Sequence, residues 1–275
     1  MVKQNMATNT KNVIVGAASL FISNGNNTNA LGRPTTYKAD LGALFPLNTP
    51  ARQGLLASSG FANGGYREVG YTTTGLEVSY EPNYGEVMVD QLLDAARLFK
   101  QTLKVLLKTE LTEATLENLT FSWGQMDSYY VANTSSTVTN VATLINNDST
   151  VTGVADTPAA VLNMAAGALG DSPVERTIIA VGAAPAQIGS SVNLQEAPNT
   201  SLVAQTPTNV NRQKERVYVA RRVVAIDTTL HAMKRDAATV FPVNFRCLPD
   251  SDYNYAGAEY GVVIDRVYAV NGSIY

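Results

Sequence analysis

Hydrophobic and polar positions alternate most regularly between Leu76 and Leu111. Leu76, Val78 and Tyr80 alternate with Glu77, Ser79 and Glu81, the period of two of a half-buried strand. Pro82 and Asn83 carry turn chemistry, which predicts a tight turn into a second strand. There Val87 and Val89 alternate with Glu86, Met88 and Asp90, so the polar face of the hairpin holds Glu77, Ser79, Glu81, Glu86, Met88 and Asp90. The segment QLLDAARLF bends onward into a third strand. In it Leu103, Val105, Leu107 and Leu111 face one way, and Lys104, Leu106, Lys108 and Glu110 the other. The period then lengthens. Leu116, Leu119 and Trp123 fall at helical spacing, Thr112 is the expected N-cap, and Glu113 and Glu117 sit where the helix dipole favours negative charge. This predicts a short helix over 113–123 pressed on a sheet.

The remaining chain is read more coarsely. Residues 1–12 form an N-terminal arm, and Val13 to Ile22 is a strand. Residues 23–36 carry turn residues throughout and read as a loop. Residues 41–65 are an irregular excursion with a helical turn near Leu55. Residues 127–170, rich in Ser, Thr, Asn, Asp and Ala, read as an insertion with a helix over 157–168. Strands are expected at Glu175 to Val181, Glu215 to Ile226, Thr239 to Leu248 and Tyr260 to Ala269. Between the first two lies 183–211, with Pro185, Pro198 and Pro207. Long loops without structure of their own are usually functional, and this one is expected to dock on a neighbouring subunit. The whole chain, 1–275, reads as one all-β dominated domain, a β-barrel or β-sandwich with a flanking short α-helix and long loop extensions.

Composition narrows the function. The formal net charge is −3, against a dedicated nucleic-acid binder, which shows basic clusters. Charged residues are 16% of the chain, below the usual quarter, which suits broad protein contacts. The polar start MVKQNMATNTKN lacks the apolar core of a signal peptide, and no apolar run approaches the ~18 residues that span a bilayer.

The chemistry sought is enzymatic, and it is not assembled. Nucleophilic catalysis needs a Ser or Cys beside a base. His231 and Cys247 are the sole histidine and cysteine, and Cys247 alternates with Phe241, Val243 and Phe245 on one strand face, which places it in a core. Asp250, Asp252 and Asn254 imitate the start of a calcium loop, but Tyr255 stands at the turn glycine and Gly261 at the bidentate glutamate. The pairs Glu77/Glu81 and Glu86/Asp90 meet the residue requirement of a glycosidase, but strand position alone does not establish the set separation it needs, and a solvated strand face is the commoner reading. No phosphate-binding glycine loop occurs. Catalytic residues, metal ligands and cofactors are therefore expected to be none. Arg212, Lys214, Arg216, Arg221 and Arg222 form a basic run. Inter-subunit ion pairing with the acidic 77–94 region is favoured over nucleic-acid binding, because the whole chain is acidic and the run lies in a strand.

Three segments carry a resemblance: GYTTTGLEVSYEPNYGEVMVDQ (70–91), ARLFKQTLKVLLKTELTEATLENLTFSWG (96–124) and, more loosely, FPVNFRCLPDSDYNYAGAEYGVVIDR (241–266). In order and texture they resemble the major tail tube proteins of long-tailed, siphovirus-type phages. The resemblance implies a β-barrel or β-sandwich subunit flanked by a helix. It also implies homohexameric rings stacked into a tube, a virion location after synthesis in the host cytoplasm, and no enzymatic activity. Its implied partners are other copies of the chain and the tail terminator, tape-measure and tail-tip proteins. Double-stranded DNA passes through the lumen without specific binding. Candidate lumen residues are Glu77, Glu81, Glu86, Asp90 and Glu110, with the lysines of the third strand paired to carboxylates across it. Another self-assembling virion protein, such as a capsid decoration or minor tail component, is the alternative. A carbohydrate-binding or hydrolase β-sandwich stands behind it.

Overall fold

A computed structural model describes residues 18–23, 51–52, 55, 66–88, 97–125, 130–132, 160–162, 164, 173–184, 211–226, 235, 238–250 and 256–270. These are mostly antiparallel β-sheet with one short α-helix. The strands are β1 (Ser19–Ser23), β2 (Tyr66–Glu68), β3 (Thr72–Val87), β4 (Arg97–Leu111), β5 (Tyr130–Ala132), β6 (Ala160–Leu162), β7 (Arg176–Ala183), β8 (Asn211–Ala225), β9 (Phe241–Cys247) and β10 (Gly261–Val270). The helix, α1, spans Leu116–Ser122. No helix among the described residues is long and apolar enough to cross a membrane.

The main sheet runs β2-β1-β7-β8-β9-β4-β3, and β10 leaves this path by pairing with β8. The branch point is β8. Its Asn211–Ala220 half pairs with β10, whereas Val223–Ala225 pairs with β9 on the far side of the branch. The sheet therefore forks, and the two arms diverge from one strand.

The apolar sequences of β1 and β7 follow from burial on both faces. Leu20, Ile22, Ile178 and Ala180 join Val223, Phe241, Val243, Phe245, Leu107, Leu111 and Phe121 in one core. Phe21 and Ile179, one residue out of phase, enter a second core with Tyr66, Val217 and Val219, beneath the helical residues Ala51 and Leu55. The expected turn near Leu55 is thus present, and it covers a sheet face that would otherwise meet water. Burial of this kind stabilises by about 25 cal/mol per Å² of apolar surface.

Three local expectations are corrected. Pro82 and Asn83 do not turn the chain, because β3 continues through them for 16 residues. Among the described residues β3 is the terminal strand and pairs with β4 alone, and an edge strand tolerates a residue without an N–H. The helix starts later than predicted. Thr115, not Thr112, is the N-cap, accepting a hydrogen bond from the Asn118 N–H at 3.2 Å, while the Thr112 N–H bonds the Tyr71 carbonyl. The predicted helix over 157–168 is, at Ala160–Leu162, strand β6, paired with β5.

The four strands expected from Glu175 onward are present with ends shifted by a few residues. The strand β2 was not anticipated. The N-terminal arm, most of 127–170 and 185–210 lie outside the described residues.

Candidate assembly surface

The β3–β4 pair changes character along its length. At the Leu111 end β4 is held between β3 and β9, but β9 reaches only as far as Leu106. Among the described residues, Arg97–Val105 of β4 pair with β3 alone, out to Val87↔Arg97. The outer part is thus a two-stranded ribbon projecting from the sheet. Apolar side chains cover it without being covered: Tyr80 is 61% exposed, Tyr84 55%, Met88 64% and Leu98 59%. A lone hairpin is marginal in water, and a contiguous exposed apolar patch marks an interaction surface.

The two faces of the ribbon differ. On the outer face, register sets Glu77 opposite Lys108 and Glu81 opposite Lys104. Ser79 donates to the Glu81 carboxylate at 2.7 Å. Glu110 stands beside Glu77 and Lys108 along a shallow groove with Asn244, and Arg246 lies opposite Leu106. Carboxylates and cations interleave there, so the face is charge-balanced and its field falls off quickly.

Glu86 does not belong to that face. Because β3 runs through Pro82 without an inserted residue, strict alternation keeps Glu86 in phase with Tyr80 and Tyr84. The extra residue sits on β4, where the register shifts between Asn83↔Thr102 and Tyr84↔Lys100. Lys100 confirms the phase, since its ammonium donates to the Tyr80 hydroxyl at 3.1 Å and Tyr84 also raises its pKa. The expected grouping of Glu86 with Glu77 and Glu81 is therefore corrected. Asp90 lies outside the described residues. On the outer side, Gly85 is opposite Phe99, and a Cβ there would stand 2.7 Å from the Phe99 ring. The glycine lets the aromatic ring lie across the ribbon.

Under the inner face, in the wedge between the arms of the fork, is a cavity of about 290 Å³. Leu76, Val78 and Tyr80 of β3, Val105 and Leu107 of β4, Tyr218 of β8 and Val263 of β10 line it, together with Tyr260 and Cys247. Cys247 is 3% exposed, and burial pushes its thiol up to about 12. It packs as a small hydrophobe, as its alternation with Phe241, Val243 and Phe245 predicted.

No family model matches this chain, and no curated protein matches it.

The basic run is dispersed by the alternation of β8. Arg216 makes a two-bond contact with Asp265 at 2.6 and 2.7 Å. The hydrogen bonds from Arg216 hold the Asp265 carboxyl below its usual range, and they raise the guanidinium in turn. Arg222 grips Glu175 at 2.8 and 2.6 Å and donates to the Pro249 carbonyl. Arg221 is buried and donates to the Ala258 carbonyl. Lys214 is half-buried on β8, and the Arg212 side chain lies outside the described residues. Arg216 and Arg222 are thus engaged within the subunit, where the sequence suggested contacts between subunits.

Sequence reasoning missed the most polar part of the core. Arg67 and Arg176 both stack on Phe121, at 4.7 and 4.5 Å from the ring centre. Asn118, fully buried, donates to the carbonyls of Val69 and Glu113 and accepts from Arg67. Its place in an N-x-T triplet is therefore structural. Helical spacing favoured Leu116, Leu119 and Trp123; Leu119 does pack against the core, but the buried residues of α1 are Asn118, Thr120, Phe121 and Ser122. No periodic signal marks two arginines that converge from separate strands. Of the calcium-like triplet only Asp250 is described, and no group of three or more His, Cys, Asp or Glu among the described residues could hold a metal ion. His231 lies outside them.

Proposed function

We propose that this chain is a structural, non-enzymatic subunit of a phage tail tube, forming stacked six-membered rings through which DNA is ejected. The observation that carries this reading is the β3–β4 ribbon, which extends out of a well-packed sheet with apolar side chains on solvent. Evolving such a surface on a monomer invites aggregation, whereas a closed ring consumes it. A ring of identical copies uses heterologous contacts that close by rotation. The resemblance of 70–91, 96–124 and 241–266 to tail tube proteins supports the same reading, since these segments comprise the ribbon, α1, β9 and much of β10.

In this reading the tail-tube type of barrel or sandwich is completed by neighbouring copies. The outer face of β3 and β4, with Glu77, Glu81 and Glu110, turns to the lumen. Its interleaved lysines leave little net field, so hydrated DNA passes without being held. The tail terminator, tape-measure and tail-tip proteins would be the partners at the ends and inside the tube, and the assembled virion the location.

Negative-stain electron microscopy of the purified protein at high concentration tests the reading. Stacked rings or hollow tubes are expected. Particles that stay monomeric at high concentration and bind only to capsids would replace it with a capsid-decoration role.

A further inference from the structure

We infer that Pro82 closes the β3 edge to strand addition, so that the ribbon associates through its side-chain faces and not through its backbone. This goes beyond the tail-tube reading and does not depend on it. It concerns how the ribbon makes contact, whatever body its faces meet.

The phase of the backbone follows from β9. The Asn244 carbonyl accepts from the Ile226 N–H at 3.1 Å, so it points to the β8 side. Backbone groups of successive residues in an antiparallel strand point to opposite sides. Lys108, opposite Asn244, therefore turns its N–H and C=O to β3. Glu77, opposite Lys108, turns its own to β4. Pairing runs without a shift from Leu76 to Asn83. Glu77, Ser79 and Glu81 thus serve the ladder, while Leu76, Val78, Tyr80 and Pro82 present their backbone groups outward. Proline stands in the outward phase. Its missing N–H costs the ladder nothing and deletes one donor from the middle of the free edge.

A long unguarded edge is a template for another strand. Here β3 has 16 residues, and among the described residues it pairs with β4 alone. Three interruptions fall along it. Gly75, with φ of 72°, lies where the register shifts between Thr72 and Leu76, and its carbonyl accepts from the Thr109 hydroxyl at 2.8 Å. Pro82 is the second. The third is the extra residue of β4, Gln101, opposite the step from Asn83 to Tyr84, and an extra residue of this kind increases the local twist. Between Gly75 and Pro82 only Leu76, Val78 and Tyr80 offer outward donors. A strand laid across Pro82 would leave one of its own carbonyls without a donor.

Hydrogen exchange read by NMR tests the phase in the unaltered protein. The amides of Val78 and Tyr80 should exchange at least about tenfold faster than those of Glu77, Ser79 and Glu81, in the monomer and in any assembly it forms. Equal protection of the two sets would mean that a strand already pairs the edge, and would overturn the inference.

Substitution tests the role of the proline. Pro82→Thr restores an outward N–H and should keep the midpoint of urea unfolding. By sedimentation velocity it should associate at a concentration at least about tenfold lower than the unaltered protein, with the Val78 and Tyr80 amides becoming slow. A folded variant as dispersed as the unaltered protein would overturn the inference. A proline returned to the same phase separates backbone from side chain. Pro82→Thr with Tyr80→Pro should be dispersed again, whereas Pro82→Thr with Tyr80→Ser should still associate. Equal behaviour of these two would assign the association to the Tyr80 ring and remove the role of Pro82.

Discussion

The base of the sheet and its ribbon are built from similar residues and put to opposite uses. In β1, β7, β8 and β9, apolar side chains enter two cores, and Arg216 and Arg222 are matched to carboxylates within the chain. In the outer halves of β3 and β4, Tyr80, Tyr84, Val87, Met88, Leu98 and Phe99 stand in water. Hydrophobic content alone therefore does not locate the core. What separates the two regions is the number of neighbouring strands and covering layers, which decides whether an apolar side chain stabilises the monomer or waits for a partner.

Substitution should separate the regions further. The largest effect is expected from Phe121→Ala, which empties a site 1% exposed and removes the ring beneath Arg67 and Arg176. A loss of about 3–5 kcal/mol is expected, read by urea unfolding. A loss under 1 kcal/mol would show that the cores are not where the stability lies.

Asp265→Asn comes next and also gives the base a pH signature. Arg216 depresses the folded-state pKa of Asp265, so the pair contributes stability above the unfolded value near 3.9 and loses it as pH falls through the folded one. The part-exposed pair should be worth about 1 kcal/mol or less at neutral pH. The difference between the two proteins should shrink below about pH 4, and a difference that persists unchanged in acid would exclude ionisation as its cause.

The smallest effect on stability is expected in the ribbon. Replacing Tyr80 and Tyr84 together by Ser should leave unfolding within about 0.5 kcal/mol, yet abolish rings by electron microscopy. Loss of fold in this variant would mean that the ribbon is part of the core, and the contrast between the two regions would fail.

Much of the strand pattern was legible because alternation depends on residues two apart. The phases of Val105, Leu107 and Leu111, and of Phe241 through Cys247, are those the sequence predicted. The cap was misplaced because Thr112 and Thr115 offer the same side-chain chemistry. The bond from Thr112 N–H to the carbonyl of Tyr71, the residue that precedes β3, decided between them.

Sequence by itself determined the approximate places of β4, β7, β8, β9, β10 and α1, the apolar faces of β4 and β9, and that Cys247 is a core residue. These depend on side-chain chemistry and on intervals of two to four residues. Tertiary structure alone decided that β3 runs straight through Pro82, because tolerance of a missing N–H depends on β3 lying at the sheet edge. It decided the face of Glu86 for the same reason. It also brought Arg67 and Arg176 together on Phe121 and divided the sheet at β8, since long-range pairing, not local preference, sets which strands become neighbours.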